Sequence, residues 1–540
     1  MKYKNILRTI GAALITGAML TACENDFDAQ IYGQLSTTNF PATASDYESY
    51  MMDCYVPFNI TWQYEFSGQQ YNFYVPEGGL QRCFDTTTDE CVAWNIGSWG
   101  WLWTLIGDAK FDDMKYLGRT KAGAPQHFEK VREISRFTKV IDELENADAN
   151  ILPDAKKKEF IGEARLCRGL TMYYLLNLYG PVPVIVDASQ LGDTINEAHL
   201  ERPDLDTMTK YITDDLEYAT HNVAEKQSQQ GRYTADYARI CLMRHYLNEG
   251  YHMDGYYQKA YDLFSQFTGN YSLFNEGDNP YAEQFKIAHE FNCETIMAIG
   301  CSSSATGSAN EGNFNAFTWY SLPWDVAKYD DKGNATPFVH QGGGWGMCFN
   351  VAKKFYDSFE PGDKRAETIV TSYYSSIYGW VTEKDLGDRW DGYIVNKYPI
   401  ETATSFQGTD FPLARWADAL LLYAEADVRA HNTVSSSAID CVNQVRKRAG
   451  LAGLTADKTA NVQTFLDALL DERGHELFYE CQRKIDLIRF NKYYTKMKEY
   501  GREPSSEYFP IPDYAVQQAA ASGYTLTQYY TRDNYDGPKK

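Results

Sequence analysis

Charged side chains recur at helical spacing in four blocks of this chain. Glu163, Arg165 and Arg168 fall at i, i+2 and i+5 of one amphipathic stretch. Arg415, Asp418 and Glu425 share a second stretch, and Glu472, Arg473, Glu476, Glu480 and Arg483 a third. Asp486 and Arg489 come after them. An arginine fork clamps a carboxylate in two-point geometry. Arg–carboxylate pairs between packed helices therefore explain the pattern without catalysis. The competing reading is hydrolysis by two opposed acids, and with 73 Asp and Glu in the chain no pair stands out by itself. His-Glu-x-x-His, Gly-x-Ser-x-Gly and a phosphate-binding Gly-rich loop are all missing. Nine histidines are scattered, so no metal site or cofactor is expected. Asp330-Asp331-x-Gly333-Asn334 has the oxygens of a calcium loop but reads more simply as a turn.

Aromatic residues are the second resource: 15% of the chain, including 42 Tyr and 11 Trp. Flat indole faces match the apolar C–H faces of sugar rings, and burying such faces contributes roughly 25 cal/mol per Å². Neighbouring Asn, Asp and Gln can then bind the hydroxyls. One cluster is Trp94, Trp99, Trp101 and Trp103. Trp94 sits in a polar stretch, whereas Trp101 and Trp103 lead into an apolar one that reads as core. A second cluster is Trp319, Tyr320 and Trp324, in a segment rich in Gly, Ser and Asn. Trp345, Trp380 and Trp390 form a weaker third group.

Cys23 is the third. Lys2, Lys4 and Arg8 precede a short apolar stretch, Ile10 to Leu20, which is too short to span a bilayer. Leu20-Thr21-Ala22-Cys23 comes next and resembles the lipobox of bacterial lipoproteins. Residues 1–22 are thus expected to be a signal peptide, with lipid carried on Cys23. The acidic run after it (Glu24, Asp26, Asp28) resembles an export tag of surface lipoproteins. Removing the three leader cations leaves 48 Lys and Arg against 73 Asp and Glu, a net charge of −25. That field disfavours nucleic acid as a partner. The other ten cysteines lack any Cys-x-x-Cys pair and read as small buried hydrophobes, with Cys83 and Cys91 the pair to check for a disulfide.

Long amphipathic helices must position these groups. Apolar spacing predicts helices over 128–148, 155–179, 206–224, 234–249, 256–267, 413–431, 435–449 and 462–480. They read as helix–turn–helix pairs without a fixed repeat period. Residues 55–104 and 301–400 show weak helical periodicity and read as long ordered excursions, where function often resides. The expected fold is mostly α, a helical scaffold carrying loop excursions.

Several blocks line up with one family. Glu163-Ala-Arg165-x-x-Arg168 leads to Tyr173, Tyr174, Leu178, Tyr179 and Gly180-Pro181-Val182-Pro183. Gly231-Arg232 precedes Ala238, Arg244 and Leu247. Asp410-x-Pro412-Leu413-x-Arg415-x-x-Asp418, Asn443-x-Val445-Arg446-x-Arg448-Ala449-Gly450 and Asp471-Glu472-Arg473 come next. Glu480-x-x-Arg483-x-x-Asp486-Leu487-Ile488-Arg489 and Phe509-Pro510-Ile511-Pro512 close the set. In this order the blocks resemble the SusD/RagB family over nearly the whole chain after residue 22. Cys481 departs from the family pattern, which has Gly after this Glu, so a local packing change is expected there.

The resemblance implies four tetratricopeptide-like helix pairs, with a SusD-like N-terminal part over about 23–250 and a C-terminal part over about 290–540, packed as one unit. It implies a non-enzymatic outer-membrane lipoprotein that captures glycans and passes them to a TonB-dependent, SusC-like barrel transporter. It also implies that binding platforms come from the two aromatic regions, with no motif that carries over the individual residues; their own polar, non-helical context makes Trp94, Trp319, Tyr320 and Trp324 the expected glycan-binding residues. A surface glycoside hydrolase and a peptide-capturing member of the same family are the alternatives.

Overall fold

The computed structural model describes residues 40–60, 72–75, 78–92, 109–111, 127–192, 200–304, 312–344, 349–387 and 390–539. Cys23, the leader, the Trp94–Trp103 cluster and Trp345 lie outside them. Residues 1–47 and 48–540 form two separate compact units. In the first, Asp46 accepts hydrogen bonds from the Ala42 and Thr43 backbone N–H groups and starts a helical turn. The helical scaffold belongs to the second unit.

Eight helices build that scaffold: α1 (Val131–Glu145), α2 (Asp154–Tyr179), α3 (Leu205–Asn222), α4 (Ala235–Glu249), α5 (Tyr256–Phe264), α6 (Trp416–His431), α7 (Ser436–Arg448) and α8 (Val462–Leu477). Each packs on the next, as successive tetratricopeptide-like pairs. The apolar spacing explains the packing. Val131, Ile134, Phe137, Ile141 and Leu144 of α1 are all buried, as are Met208, Ile212, Leu216 and Ala219 of α3. Each of these side chains larger than alanine contributes about 1.5–3 kcal/mol on leaving water. α2 and α4 have neighbours on both sides and are buried around most of their circumference.

Local chemistry sets the helix ends. Asp204, Thr234, Ser435 and Asn461 each accept a backbone N–H in the first turn of α3, α4, α7 and α8. Gly180 ends α2 at φ 73°, and a Cβ there would lie 2.2 Å from the Tyr530 ring. Glycine is required on both counts.

One predicted helix starts later than its apolar pattern indicates. Residues 413–415 are strand. β1 (Thr295–Ile299) pairs antiparallel with β4 (Phe411–Arg415), and α6 begins only at Trp416. Pro412 lacks an N–H and disfavours a helical conformation for Phe411, so the chain enters extended. Between α5 and α6, the two halves of the third pair, residues 265–415 leave the scaffold. They include the β-hairpin of β2 (Tyr373–Ser375) and β3 (Gly379–Val381).

The motif charges sit between the helices. Arg415 bridges Glu294, Glu476 and Glu480. Arg473 donates to Asp486 from Nε and to Asp418 from Nη1, each at 2.8 Å. Arg168 grips Asp215, and Arg489 grips both Glu425 and Asp486. Burial opposes the charge on Glu476, but Arg448, Arg415 and Arg365 around it hold its carboxyl below the usual range. Burial lowers the Lys397 ammonium to about 8, against the pull of Glu480.

Cys83 and Cys91 are separate buried thiols, not a disulfide. Cys83 belongs to a short core helix (Leu80–Phe84), whereas Cys91 lies on a strand that pairs with Asn350–Val351. The Asp330–Asn334 segment is a closed turn. Asp330 spends both carboxylate oxygens on it, accepting from the Lys332 and Asn334 backbones and from the Asn334 amide.

Candidate functional site

The aromatic residues of the 301–400 excursion separate into core and surface. Residues 317–321 form a short helix, not the irregular excursion expected from composition. Spacing of i, i+3 then puts Phe317 and Tyr320 on one inward face. Tyr320 is 1% exposed, with Arg82 over its ring, so it belongs to the core and not to an open platform. Trp319 is half-buried, edge-on to Tyr320 at 5.4 Å. Trp390 is fully buried against Tyr373 and donates from Nε1 to the Thr382 carbonyl.

Trp324 behaves differently. It lies just after Pro323, beyond the short helix, and is 60% exposed. Tyr329 at 53%, Ile377 at 54%, Tyr378 at 56% and Trp380 at 51% accompany it. Among the described residues, most of the exposed large apolar side chains come from these two short segments, 324–329 and 377–380.

Hydrogen bonds lock the two segments together. Val326 bridges Ser375, Ala327 N–H donates to the Tyr374 carbonyl (2.8 Å), and Ser376 N–H donates to the Asp325 carbonyl (2.8 Å). The Asp325 carboxylate, buried although Trp324 before it is exposed, accepts from the Ser375 hydroxyl and from Tyr373 OH. Ser375 Oγ in turn accepts the backbone N–H groups of Ile377 and Tyr378, at 3.0 Å each. Asp325 and Ser375 thus fix the turn that presents Ile377 and Tyr378. On the hairpin, Trp380 lies opposite Tyr374, with their rings 5.6 Å apart and nearly perpendicular. On the other side, Gly343 and Gly344 donate to the Val326 and Pro323 carbonyls. A Cβ on Gly344 would lie 2.2 Å from Leu322, so only glycine lets this strand lie so close. The outcome is two segments, joined by backbone bonds, that each present exposed large side chains: Trp324 and Tyr329 on one, Ile377, Tyr378 and Trp380 on the other.

Spacing gave no warning of Tyr329, Ile377 or Tyr378. The available signal was Ser375-Ser376-Ile377-Tyr378-Gly379-Trp380, where apolar residues flank a hairpin glycine at φ 74° with no core within reach.

A small cavity of mixed charge lies elsewhere, between β1, β4 and residues 284–292. Its lining includes Glu290, Thr409 and Asp410 but also Lys286, His289 and Arg415. Burial raises Glu290 to about 7, helped by the Asp410 and Glu401 charges, and burial raises Asp410 to about 6. Raised carboxyls are what a general acid needs, yet the cavity holds only about 20 Å³. That is room for about one water, not a sugar ring. Among the described residues, no three His, Cys, Asp or Glu side chains group as metal ligands.

A family model described as the SusD family matches residues 213–531, more than half of the chain. The chain belongs to the SusD family. A second model, described as starch-binding associating with outer membrane, matches residues 120–247 of this SusD-family chain. The starch-binding protein SusD of Bacteroides thetaiotaomicron is 25% identical over 95% of this chain and 97% of its own. A SusD-like protein of Formosa agariphila is 26% identical over 64% of this chain and 67% of its own. Among solved structures, surface glycan-binding protein A of Bacteroides fluxus superposes with a TM-score of 0.70 at 18% identity, covering 91% of this chain and 99% of that one. Surface glycan-binding protein A of Bacteroides thetaiotaomicron, in complex with laminarihexaose, gives 0.68 at 19% identity, covering 91% and 100%. At such identities the structural likeness is one of fold. No helix among the described residues of this SusD-family chain is long and apolar enough to cross a membrane.

Proposed function

We propose that this chain is a cell-surface glycan-binding lipoprotein. It captures oligo- or polysaccharide and delivers it to a TonB-dependent, SusC-like outer-membrane transporter. Lipid on Cys23 anchors it to the outer membrane. The observation that carries glycan capture is the exposure of Trp324, Tyr329, Ile377, Tyr378 and Trp380 on two segments tied together by backbone bonds and by the Asp325–Ser375 pair. Exposed rings on a stiff support lose little entropy on binding, and they offer apolar area to sugar C–H faces. The names of the SusD relatives support the same reading. Trp319 borders the Trp324 segment in sequence and stays in the proposed site. Trp94 stays in it on its polar sequence context.

The reading is tested by titrating the purified protein with a panel of polysaccharides and oligosaccharides by calorimetry, then repeating with Trp324→Ala and Trp380→Ala. A shallow face gives affinities on the order of micromolar to millimolar, with long chains binding better than monosaccharides. Full affinity in both folded variants overturns the placement of the site.

The rival reading, a glycoside hydrolase, draws on one observation, the raised Glu290 and Asp410 carboxyls. The motif acids are committed to arginines, and the pocket between Glu290 and Asp410 has room for about one water. Sustained glycan turnover by pure protein, abolished by Glu290→Gln or Asp410→Asn, would favour the hydrolase.

A further inference from the structure

We infer that the glycan accepted by the Trp324–Trp380 face is a neutral polysaccharide, and that uronate-rich and sulfated polymers are excluded. The inference rests on the glycan-binding reading above and narrows it to a chemical class.

The charges around the face carry the argument. The two segments that build it, 317–344 and 373–387, contain Asp325, Asp330, Asp331, Glu383 and Asp385 against Lys328, Lys332 and Lys384; the arginines nearest them are Arg389, next along the chain after Asp388, and Arg82, which lies over the buried Tyr320 ring. Arginine is the side chain whose planar fork matches carboxylate and sulfate oxygens. This protein concentrates that chemistry inside the fold, where Arg365, Arg415, Arg448 and Arg489 close on internal acids. Lys328 is committed, its Nζ donating to the His340 carbonyl at 3.0 Å. Lys353, whose partner Glu383 lies on the segment following β3, is shared between Glu383 and Asp357. Lys332 and Lys384 each lie within two residues of two acids in the sequence.

Longer-range forces act in the same sense. The chain after residue 22 carries 48 cations against 73 anions, and a field of that sign repels a polyanion before contact. What the face offers is apolar: two indoles, two phenols and an isoleucine, all about half exposed or more. Such a surface selects rings with clean C–H faces, and a carboxylate or sulfate brought against it would lose hydration without gaining a partner. Ring stacking is also insensitive to salt, whereas recognition of an anionic polymer by lysines is screened by it.

The test uses the full-length mature protein and two panels of probes: neutral polymers (laminarin, galactomannan, arabinoxylan, glycogen) and acidic polymers (polygalacturonate, alginate, chondroitin sulfate). Affinity electrophoresis and calorimetry are run at low and high salt, with Trp324→Ala and Trp380→Ala as controls. The expected result is binding of at least one neutral polymer, within twofold across the salt range and weakened at least fivefold by each variant. No acidic polymer should bind even at low salt. An acidic polymer that binds, and is lost with Trp324→Ala, overturns the neutral class while leaving glycan binding intact. If no polymer of either panel binds, the glycan-binding reading falls with it.

Discussion

Arg473 is sealed from solvent between Asp418 and Asp486, one acid from α6 and one from the helix Arg483–Arg489. Removing one member of a buried pair leaves the others uncompensated and costs about 3–5 kcal/mol. Arg473→Ala is therefore expected to lower the denaturant midpoint markedly. Unchanged stability with loss of ligand binding would instead place the residue in a binding site. Cys481 makes a second case. Its φ is 64°, in the left-handed region where glycine is the unstrained residue. Its N–H donates to Asp85 at 2.9 Å, which fixes the backbone there. A left-handed side-chain residue costs roughly 1–2 kcal/mol, so Cys481→Gly should be tolerated or mildly stabilising in a thermal melt. Cys481→Val, branched at Cβ, should destabilise. Asp410 tests charge. Burial raises its folded carboxyl to about 6, above the ordinary 3.8. A raised acid contributes stability below its unfolded pKa and loses it as pH rises through the folded value. Asp410→Asn, which keeps an acceptor for Cys301 N–H, should raise the melting temperature relative to wild type at pH 8 and leave it unchanged near pH 4. At this scale the sequence made the pairing of the motif charges legible, because Arg and Glu at helical spacing have few alternatives to each other. It did not make Tyr320 and Trp324 separable: four residues apart, one is core and the other surface, and only the helix ending at Ser321 decides which.

Among the elements, the hairpin of β2 and β3 depends on a side chain outside it. Asp325 holds Ser375, and Ser375 holds the Ile377 and Tyr378 backbone. Asp325→Ala should leave the helical scaffold intact, at a cost of about 1–3 kcal/mol for the unmade hydrogen bonds. It should also loosen the turn. Re-ordering two side chains on binding costs about 0.5–1.5 kcal/mol each, so glycan affinity should fall about tenfold. Calorimetry reads the affinity, and far-UV circular dichroism reads the helices; unchanged affinity would show that the turn is not part of the site. The scaffold helices were readable because a 3.6-residue apolar period survives wherever one face is buried, as in α1 and α3. The hairpin and the β1–β4 pair were not readable. Their strands are three to five residues long, too short for a period-2 pattern to emerge. The pairing of Thr295–Ile299 with Phe411–Arg415 also joins segments more than 100 residues apart.

For the whole molecule, the proposed surface location poses a physical problem: how so acidic a body would stay at a membrane. With 48 cations against 73 anions after the leader, electrostatics pushes it away from an anionic surface, and a polybasic contact of the usual kind is ruled out by sign. On the lipoprotein proposal, lipid does the holding. One acyl chain gives only marginal, reversible binding, and two or more are needed for stable anchoring, which Cys23 as a lipoprotein acceptor would supply. High-salt washing should leave the wild-type protein with the membrane, because screening removes a repulsion and not an attraction. Cys23→Ala should release the protein in soluble form or leave the precursor uncleaved, as read by fractionation and intact mass. Mature Cys23→Ala protein that stays with the membrane, or wild-type protein that high salt strips off, would show that some other contact bears the attachment.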